Sequence, residues 1–302
     1  MSSGDTTEDP RRGGALALGA ASFAAVFLLA FQAASRAAPR EAVVLAMLGS
    51  AALFNGGLAL SMPRAKNETS RRTTWITVGA FTVLTIGGNI GVAGALSHLG
   101  PGLTGTILQT QIFLVALGGW LFLKEKISLW FLLGAGLAFG GFVVLGLRGW
   151  GEEPIDATGV AFAMLASTSF GAMLLVTRSV ITRIEPVSVN VARLSASALV
   201  LALLPGHFGA VLELPGEVWL MVVLAAACGP FASRLCLMFA SKHIGASRLK
   251  MITLVSPVMA FGLEWLVLGS APSGRELVGG GLILCGVVLP VLSSVRSRRA
   301  RS

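Results

Sequence analysis

The chain has 302 residues, 54% of them hydrophobic and only 12% charged, and its mean hydropathy is +0.81. A water-soluble domain of this length needs far more polar surface than that to cover its core, so the composition excludes one. The net charge of +9 does not mark a nucleic-acid binder, because the basic residues lie in short loops between apolar runs and form no continuous patch.

In chain order, a polar start (Met1 to Arg12) precedes ten apolar runs, each long enough to cross a hydrocarbon core of about 30 Å. They cover 15–35, 41–62, 74–96, 103–123, 128–147, 157–180, 187–205, 217–240, 247–268 and 274–294, and a basic end (Arg296 to Ser302) follows. Linkers are short and carry breakers such as Pro39, Pro63, Pro101, Pro154, Pro186, Pro215 and Pro272. Trp75, Trp120, Trp130, Trp150, Trp219 and Trp265 fall near run ends, where interfacial anchors belong. Cys228, Cys236 and Cys285 lie inside apolar runs with no CxxC pair, and read as small hydrophobes rather than redox or metal residues. Arg11-Arg12 before an apolar run ending in small residues near Ala33 has the look of an export signal, but this run takes part in the repeat described next and is expected to be retained.

Laid on itself with an offset of 145, the sequence repeats. Trp120 meets Trp265, His98-Leu99-Gly100 meets His243-Ile244-Gly245, and Gly134, Gly136 and Gly141 meet Gly279, Gly281 and Gly286. Gly14, Ala21 and Ser22 of the first run meet Gly159, Ala166 and Ser167. Five runs per copy is an odd number, so the two copies must lie oppositely oriented in the membrane. Loop charge agrees. Arg64, Lys66, Arg71 and Arg72 fill the loop after the second run, whereas the loop after the seventh has Glu213 and Glu217 and no Lys or Arg. With both termini cytoplasmic, 17 of the 23 Lys and Arg lie inside, four (Arg36, Arg40, Arg148 and Arg275) lie outside, and Arg193 and Arg234 are intramembrane.

The run Leu121-Phe122-Leu123-Lys124-Glu125-Lys126-Ile127-Ser128, with glycines following at 134 and 141, resembles the signature that closes each half of EamA-type transporters of the drug/metabolite transporter superfamily. Pro257 in the ninth run and Arg193 early in the seventh match that family's pattern too. The resemblance covers nearly the whole chain. It implies an all-α membrane fold of ten helices as two inverted five-helix repeats around a central cavity, with the fifth and tenth peripheral. The expected layout is a cytoplasmic tail over 1–14, repeats over 15–147 and 157–294, and a cytoplasmic tail over 295–302. The chain departs from the pattern at Ser270, where the family has an acidic loop residue, at Ile112, where it has proline, and at Leu48, which stands opposite Arg193.

Polar groups inside lipid need a structural partner or a wet cavity. Thr82, Thr85 and Asn89 share one face of the third helix, and Thr106, Gln109 and Thr110 one face of the fourth. Asn89 and Gln109 lie at nearly one depth, either hydrogen-bonded to each other or facing a common space. In the second half, Arg234 is the counterpart of Asn89, and Arg193 lies at comparable depth. The two guanidiniums either snorkel to the cytoplasmic interface or receive an anionic group such as a carboxylate. Thr253, Ser256, Ala260 and Glu264 line one face of the ninth helix, where Pro257 is expected to break the backbone ladder and serve as a hinge. Glu264 is the one carboxylate more than three residues inside a run, either solvated at the interface or a proton carrier. GxxxG spacings at Gly87–Gly91 and Gly136–Gly140 read as close helix packing, the second also as a dimer face.

These residues point to a secondary transporter of small metabolites, amino acids or drug-like compounds, working by alternating access, and the resemblance implies an exporter. Thr85, Asn89, Thr106, Gln109, Arg193, Arg234, Ser256 and Glu264 are its candidate cavity residues. An exchanger of anionic metabolites such as phosphorylated sugars is the alternative. An intramembrane enzyme lacks a nucleophile–base pair, HExxH or GxSxG, and no cofactor or metal is called for. The expected partners are a small solute, the lipid of the inner membrane and a second copy of the chain, with no nucleic acid.

Overall fold

A computed structural model of the chain describes residues 10–61, 71–111, 113–114, 117–118, 121, 129–146, 155–180, 186–240, 243 and 252–299. Outside these residues fall the signature run 122–128, Ile112, Trp120, Trp150 and the basic loop residues Arg64, Lys66, Lys242, Arg248 and Lys250. The described residues form helices and no strand. We number the helices α1 (Pro10–Ala37), α2 (Arg40–Leu60), α3 (Arg71–His98), α4 (Pro101–Leu108), α5 (Leu129–Gly146), α6 (Ala157–Val180), α7 (Pro186–Ala202), α8 (His207–Leu212), α9 (Gly216–Ala226), α10 (Arg234–Ala240), α11 (Ser256–Leu268) and α12 (Gly274–Arg299). Among the described residues four segments, 11–37, 40–60, 73–98 and 216–237, are long and apolar enough to cross a bilayer, and shorter apolar helices accompany them. Large apolar side chains face outward, Leu60 and Leu266 being 86% and 78% exposed, as a lipid-facing surface requires. Trp75, Trp130 and Trp265 are exposed among them, while Trp219 packs against the core.

Proline sets several of the starts. Pro101 and Pro186 open α4 and α7, where the missing N–H is one of the helix's unpaired donors anyway. Glycine in the left-handed conformation closes α11 at Gly269 (φ 69°), which no β-carbon-bearing residue adopts cheaply. The short α8 is a departure from the expected spans: it caps the loop between the seventh and eighth.

How the helices pair shows how the halves meet. α2 packs on α7 and α5 on α12, so each of these helices meets its own repeat counterpart, and α4 packs on α11, which joins the fourth span to the ninth. Likewise α3 runs along α6 while α1 runs along α9 and α10, and exchanging the halves maps one pairing onto the other. Lipid offers no hydrophobic drive for helices to associate, so close backbone approach must do it. At α5–α12, a β-carbon added to Gly141 would lie 2.5 Å from the Gly279 carbonyl oxygen, and one added to Gly286 would collide with that of Gly134. Gly134 and Gly279 are repeat equivalents, as are Gly141 and Gly286. The contact is therefore reciprocal, as a two-fold relation between the halves demands. Along α3, a β-carbon on Gly91 would fall 2.7 Å from the Ala166 nitrogen of α6, and Phe170 and Phe162 cover Gly88 and Gly94. The Gly87–Gly91 spacing is thus an intramolecular contact. Gly136 and Gly140 have nothing within 4 Å and look outward.

Three interruptions matter for the site. In the fourth span, α4 stops at Leu108, and Gln109 and Thr110 bond three residues back, to the Thr106 and Ile107 carbonyls (3.0 Å each). In the ninth, the turn at Leu254 and Val255 does the same, Val255 bonding to the Ile252 carbonyl (3.1 Å). These turns are repeat equivalents. Pro257 sits in the first turn of α11, just beyond the second break, and not inside an otherwise continuous helix. The third interruption is a π-turn, Ala227–Ser233, between α9 and α10. Pro230 lies within it; with no N–H to give and a ring that crowds the preceding turn, it forces the ladder to slip.

Candidate functional site

The polar face of α7 carries Asn190, Arg193 and Ser197 at spacings of three and four, so all three project to the same side. That side lies against α3 of the first half. Arg193 is buried (7% exposed) and donates from Nε to Asn190 Oδ1 (2.8 Å) and from Nη1 to Thr85 Oγ1 (2.9 Å), with Met173 Sδ at 3.7 Å. Asn190 in turn donates to Asn55 Oδ1 on α2 (2.9 Å), and Asn55 donates to the Ala51 carbonyl (2.8 Å). Ser197 returns a bond to the Arg193 carbonyl (2.6 Å) and reaches the Thr82 carbonyl (3.4 Å). One network thus joins α2 and α3 of the first half to α7 of the second. Arg193 does not snorkel; it is held inside.

Asn89 donates to the Thr85 carbonyl one turn back (2.8 Å), so Thr85 is engaged from its hydroxyl by Arg193 and from its backbone by Asn89. Arg234 opens α10 directly after the π-turn, its side chain exposed, and lies close enough to Arg193 for the two charges to repel. In the repeat register Pro230 is the counterpart of Thr85 and Arg234 that of Asn89. The π-turn therefore occupies in the second half the place that the Thr82–Asn89 face occupies in the first.

The remaining candidates gather elsewhere. Thr106 is fully buried, donates to the Gly102 carbonyl (3.0 Å) and packs beside Gly280 of α12. Thr110 pairs with Ser167 of α6 (2.9 Å), Gln109 sits half-buried in the turn that ends α4, and Ser256 is buried in the first turn of α11. Glu264 accepts the Gly102 N–H (3.1 Å) and presses against Gly100, placing its carboxylate on the N-terminus of α4. There the helix's unpaired donors and positive dipole end favour a negative charge. Arg36 and Glu276 lie within electrostatic range of it. The structure thus brings Thr85, Asn89 and Arg193 together, with Arg234 nearby, and assigns Thr106, Ser256 and Glu264 to the α4–α11–α12 contact. Among the described residues, no group of His, Cys, Asp or Glu is arranged to hold a metal ion.

Sequence reasoning missed Asn55, Asn190 and Pro230. Asn190 carried a signal: with Arg193 and Ser197 it forms a 3–4 spaced polar stripe in an apolar run. Asn55 stood alone among apolar neighbours and had none. Pro230 lay in plain view inside the eighth run, the one proline there besides the candidate linkers.

A polar side-chain pair lies outside the membrane-spanning segments. Asp156 precedes α6, where its Oδ1 accepts the Thr158 N–H (2.8 Å) and its Oδ2 meets His98 Nδ1 of α3 (2.7 Å). The Thr158 backbone N–H chiefly, and His98 after it, hold the Asp156 carboxyl below its ordinary value. Beside this pair, Arg40 of α2 lies over the Phe162 ring (4.4 Å to the centroid), and the His98 ring stacks on the same Phe162 (6.3 Å between centroids).

Comparison with known proteins gives two findings. The model of the EamA-like transporter family matches twice, over residues 11–147 and 157–292. A solved structure, described only as a crystal structure of a protein, is similar in fold at 19% identity and a TM-score of 0.63, over 96% of this chain and 99% of its own. No curated protein matches.

Proposed function

The chain belongs to the EamA-like transporter family, and from that premise we propose that it is a secondary transporter, an exporter, that binds its solute between the two halves and releases it by alternating access. The membrane is the cell's inner membrane, crossed ten times with both termini cytoplasmic. The family consists of transporters of small solutes, not enzymes; direction, solute and mechanism are the proposal.

The observation that carries it is the polar network around Arg193. A guanidinium buried in the interior of a membrane protein costs several kcal/mol unless it is compensated, and such groups mark solute paths. This one sits where elements of opposite halves meet, which is where a site that opens alternately to each side has to lie. Thr85, Asn89, Arg193 and Arg234 face the solute, and Gln109 borders it from the end of α4. The equivalent breaks at 109–110 and 254–255 are the flexing points, with Pro257 keeping the second from healing into a continuous helix. Thr106 and Ser256 serve the packing of the moving parts, and Glu264 ties α11 to α4 on the outer side.

Uptake of a labelled solute library into inverted vesicles, with and without a proton gradient, tests this. Accumulation of at least one solute, lost in Arg193→Leu and kept in Gly136→Ala, is the expected result. Vesicles that accumulate nothing above empty controls would remove the transport assignment.

A further inference from the structure

We propose that the transported solute carries an anionic group, a carboxylate or a phosphate, and that this group docks on Arg193 with Arg234 as the second cation. The inference rests on the transport function proposed above and names the class of solute for the same site.

Arg193 is more than nine-tenths buried, yet its partners among the described residues are neutral: an amide oxygen, a hydroxyl and a thioether. Among the described residues no carboxylate pairs with it, and the one other charge in range is the like charge of Arg234. A buried guanidinium with a second, exposed one in electrostatic range is unfavourable unless a negative group offsets the two charges. A structural arginine in such a place is normally paired within the protein, and among the described residues Arg193 has no carboxylate partner.

The geometry also leaves room for one. A guanidinium has five N–H donors in a rigid fork. Here Nε is spent on Asn190, and Nη1 on Thr85 and the Met173 sulfur, while Nη2 makes no bond to the described residues. Asn190 is itself fixed by Asn55, and Thr85 by its helix, so the fork is held in one orientation before any solute arrives. An oxygen of a carboxylate or phosphate on Nη2 completes the fork, and a second oxygen is free to meet Arg234. Asn55 and Asn190 are then positioning residues: they touch the arginine and not the solute.

The two sources of such a group differ in shape and charge, so the test uses one probe for each. Purified protein in nanodiscs is treated with phenylglyoxal, which modifies free guanidiniums, and modification of Arg193 is read by peptide mass at constant ionic strength. Benzoate, inorganic phosphate and the neutral benzamide are compared with chloride. Benzoate or phosphate should slow the modification by about threefold at twice its Kd, since protection follows 1 + [L]/Kd, and benzamide should not. Protection by benzoate alone assigns carboxylates, and by phosphate alone assigns phosphate esters. Equal protection by benzamide, or none by either anion, overturns the proposal. Arg234→Gln should keep Arg193 in its network while weakening anion protection, and unchanged protection in that variant would remove Arg234 from the site. Labelling is read without transport. Anionic solutes carried normally by Arg193→Gln vesicles would sink the anion site and leave the transporter standing, whereas protection without any transport would do the reverse.

Discussion

The α5–α12 contact and the Arg193 network are both places where the halves meet, and they use the two-fold relation in opposite ways. At α5–α12 the symmetry is kept to the residue: Gly141 meets Gly279 as Gly286 meets Gly134. Around Arg193 it is abandoned. Leu48 stands where the first half would repeat Arg193, and Arg234 and Pro230 stand where the second would repeat Asn89 and Thr85. Packing needs nothing but complementary shape, so duplicated shape serves it. A solute has no two-fold axis of its own, and a site that fits it is free to diverge. The lesson is that symmetric glycines mark what holds the molecule together, and broken symmetry marks where it acts.

The comparison breaks most readily at Arg193. Arg193→Leu removes the charge and strands Asn190 and Thr85, and we expect transport to fall by more than about tenfold, in line with the about 1–3 kcal/mol that leaving a buried polar group unsatisfied costs. Vesicle uptake measures it, and a variant that transports normally would return Arg193 to a structural role. Next in size is Gly141→Ala. Its β-carbon meets backbone on α12, at 2.5 Å from the Gly279 oxygen, so helices rather than a side chain must move. Overpacking of this kind costs about 1–3 kcal/mol. Thermal unfolding in detergent should show that loss for Gly141→Ala and for Gly286→Ala alike, because the contact is reciprocal. Gly136→Ala, with open space around it, should show none. Unequal losses from the two reciprocal variants would mean that the α5–α12 contact is not symmetric.

Glu264→Ala comes third. The carboxylate accepts the Gly102 N–H at the start of α4, and losing a group that serves a helix N-terminus costs about 0.5–2 kcal/mol. Glu264→Gln keeps the acceptor and should restore most of it. If Glu264 instead carried the coupled proton, Gln would abolish gradient-driven uptake while leaving thermal stability intact, so the pair of variants separates a cap from a carrier.

The fold was legible because its signals are long and redundant: apolar runs, an offset of 145 that carries Trp and His in register, and loop charge that alternates with the side. The site was legible in part. Thr85, Asn89 and Arg193 advertise themselves as polar residues at helical spacing in apolar runs. That Arg193 turns inward to Thr85 rather than out to the interface was not legible, because either choice is compatible with its place near the run's end. Glu264 and Thr106 were misleading for a related reason. A polar residue on a helix face has a direction, but the sequence does not say whether a helix N-terminus or a neighbouring glycine already waits there. The matched breaks at 109–110 and 254–255 were hidden for a third reason: proline signals one of them, and the other has Ile112 where that proline would be.

The smallest expected effect lies at the membrane surface, at the pair that joins α3 of one half to α6 of the other. Asp156 is held below its ordinary value of 3.8, so its contribution to the folded state is fully present above about that pH and is lost as the pH falls through the depressed folded value. Asp156→Asn removes the charge while leaving an oxygen for the Thr158 N–H and for His98. The variant should therefore unfold at a slightly lower temperature than the parent at pH 6, and the gap should close as the pH falls below 3.8 through that depressed value. Both side chains are in contact with water, which screens the pair and keeps the gap small. A gap that widened toward acid would mean the carboxyl is raised rather than depressed, and the polar contact between the halves would then be a burden that the glycine interface has to offset.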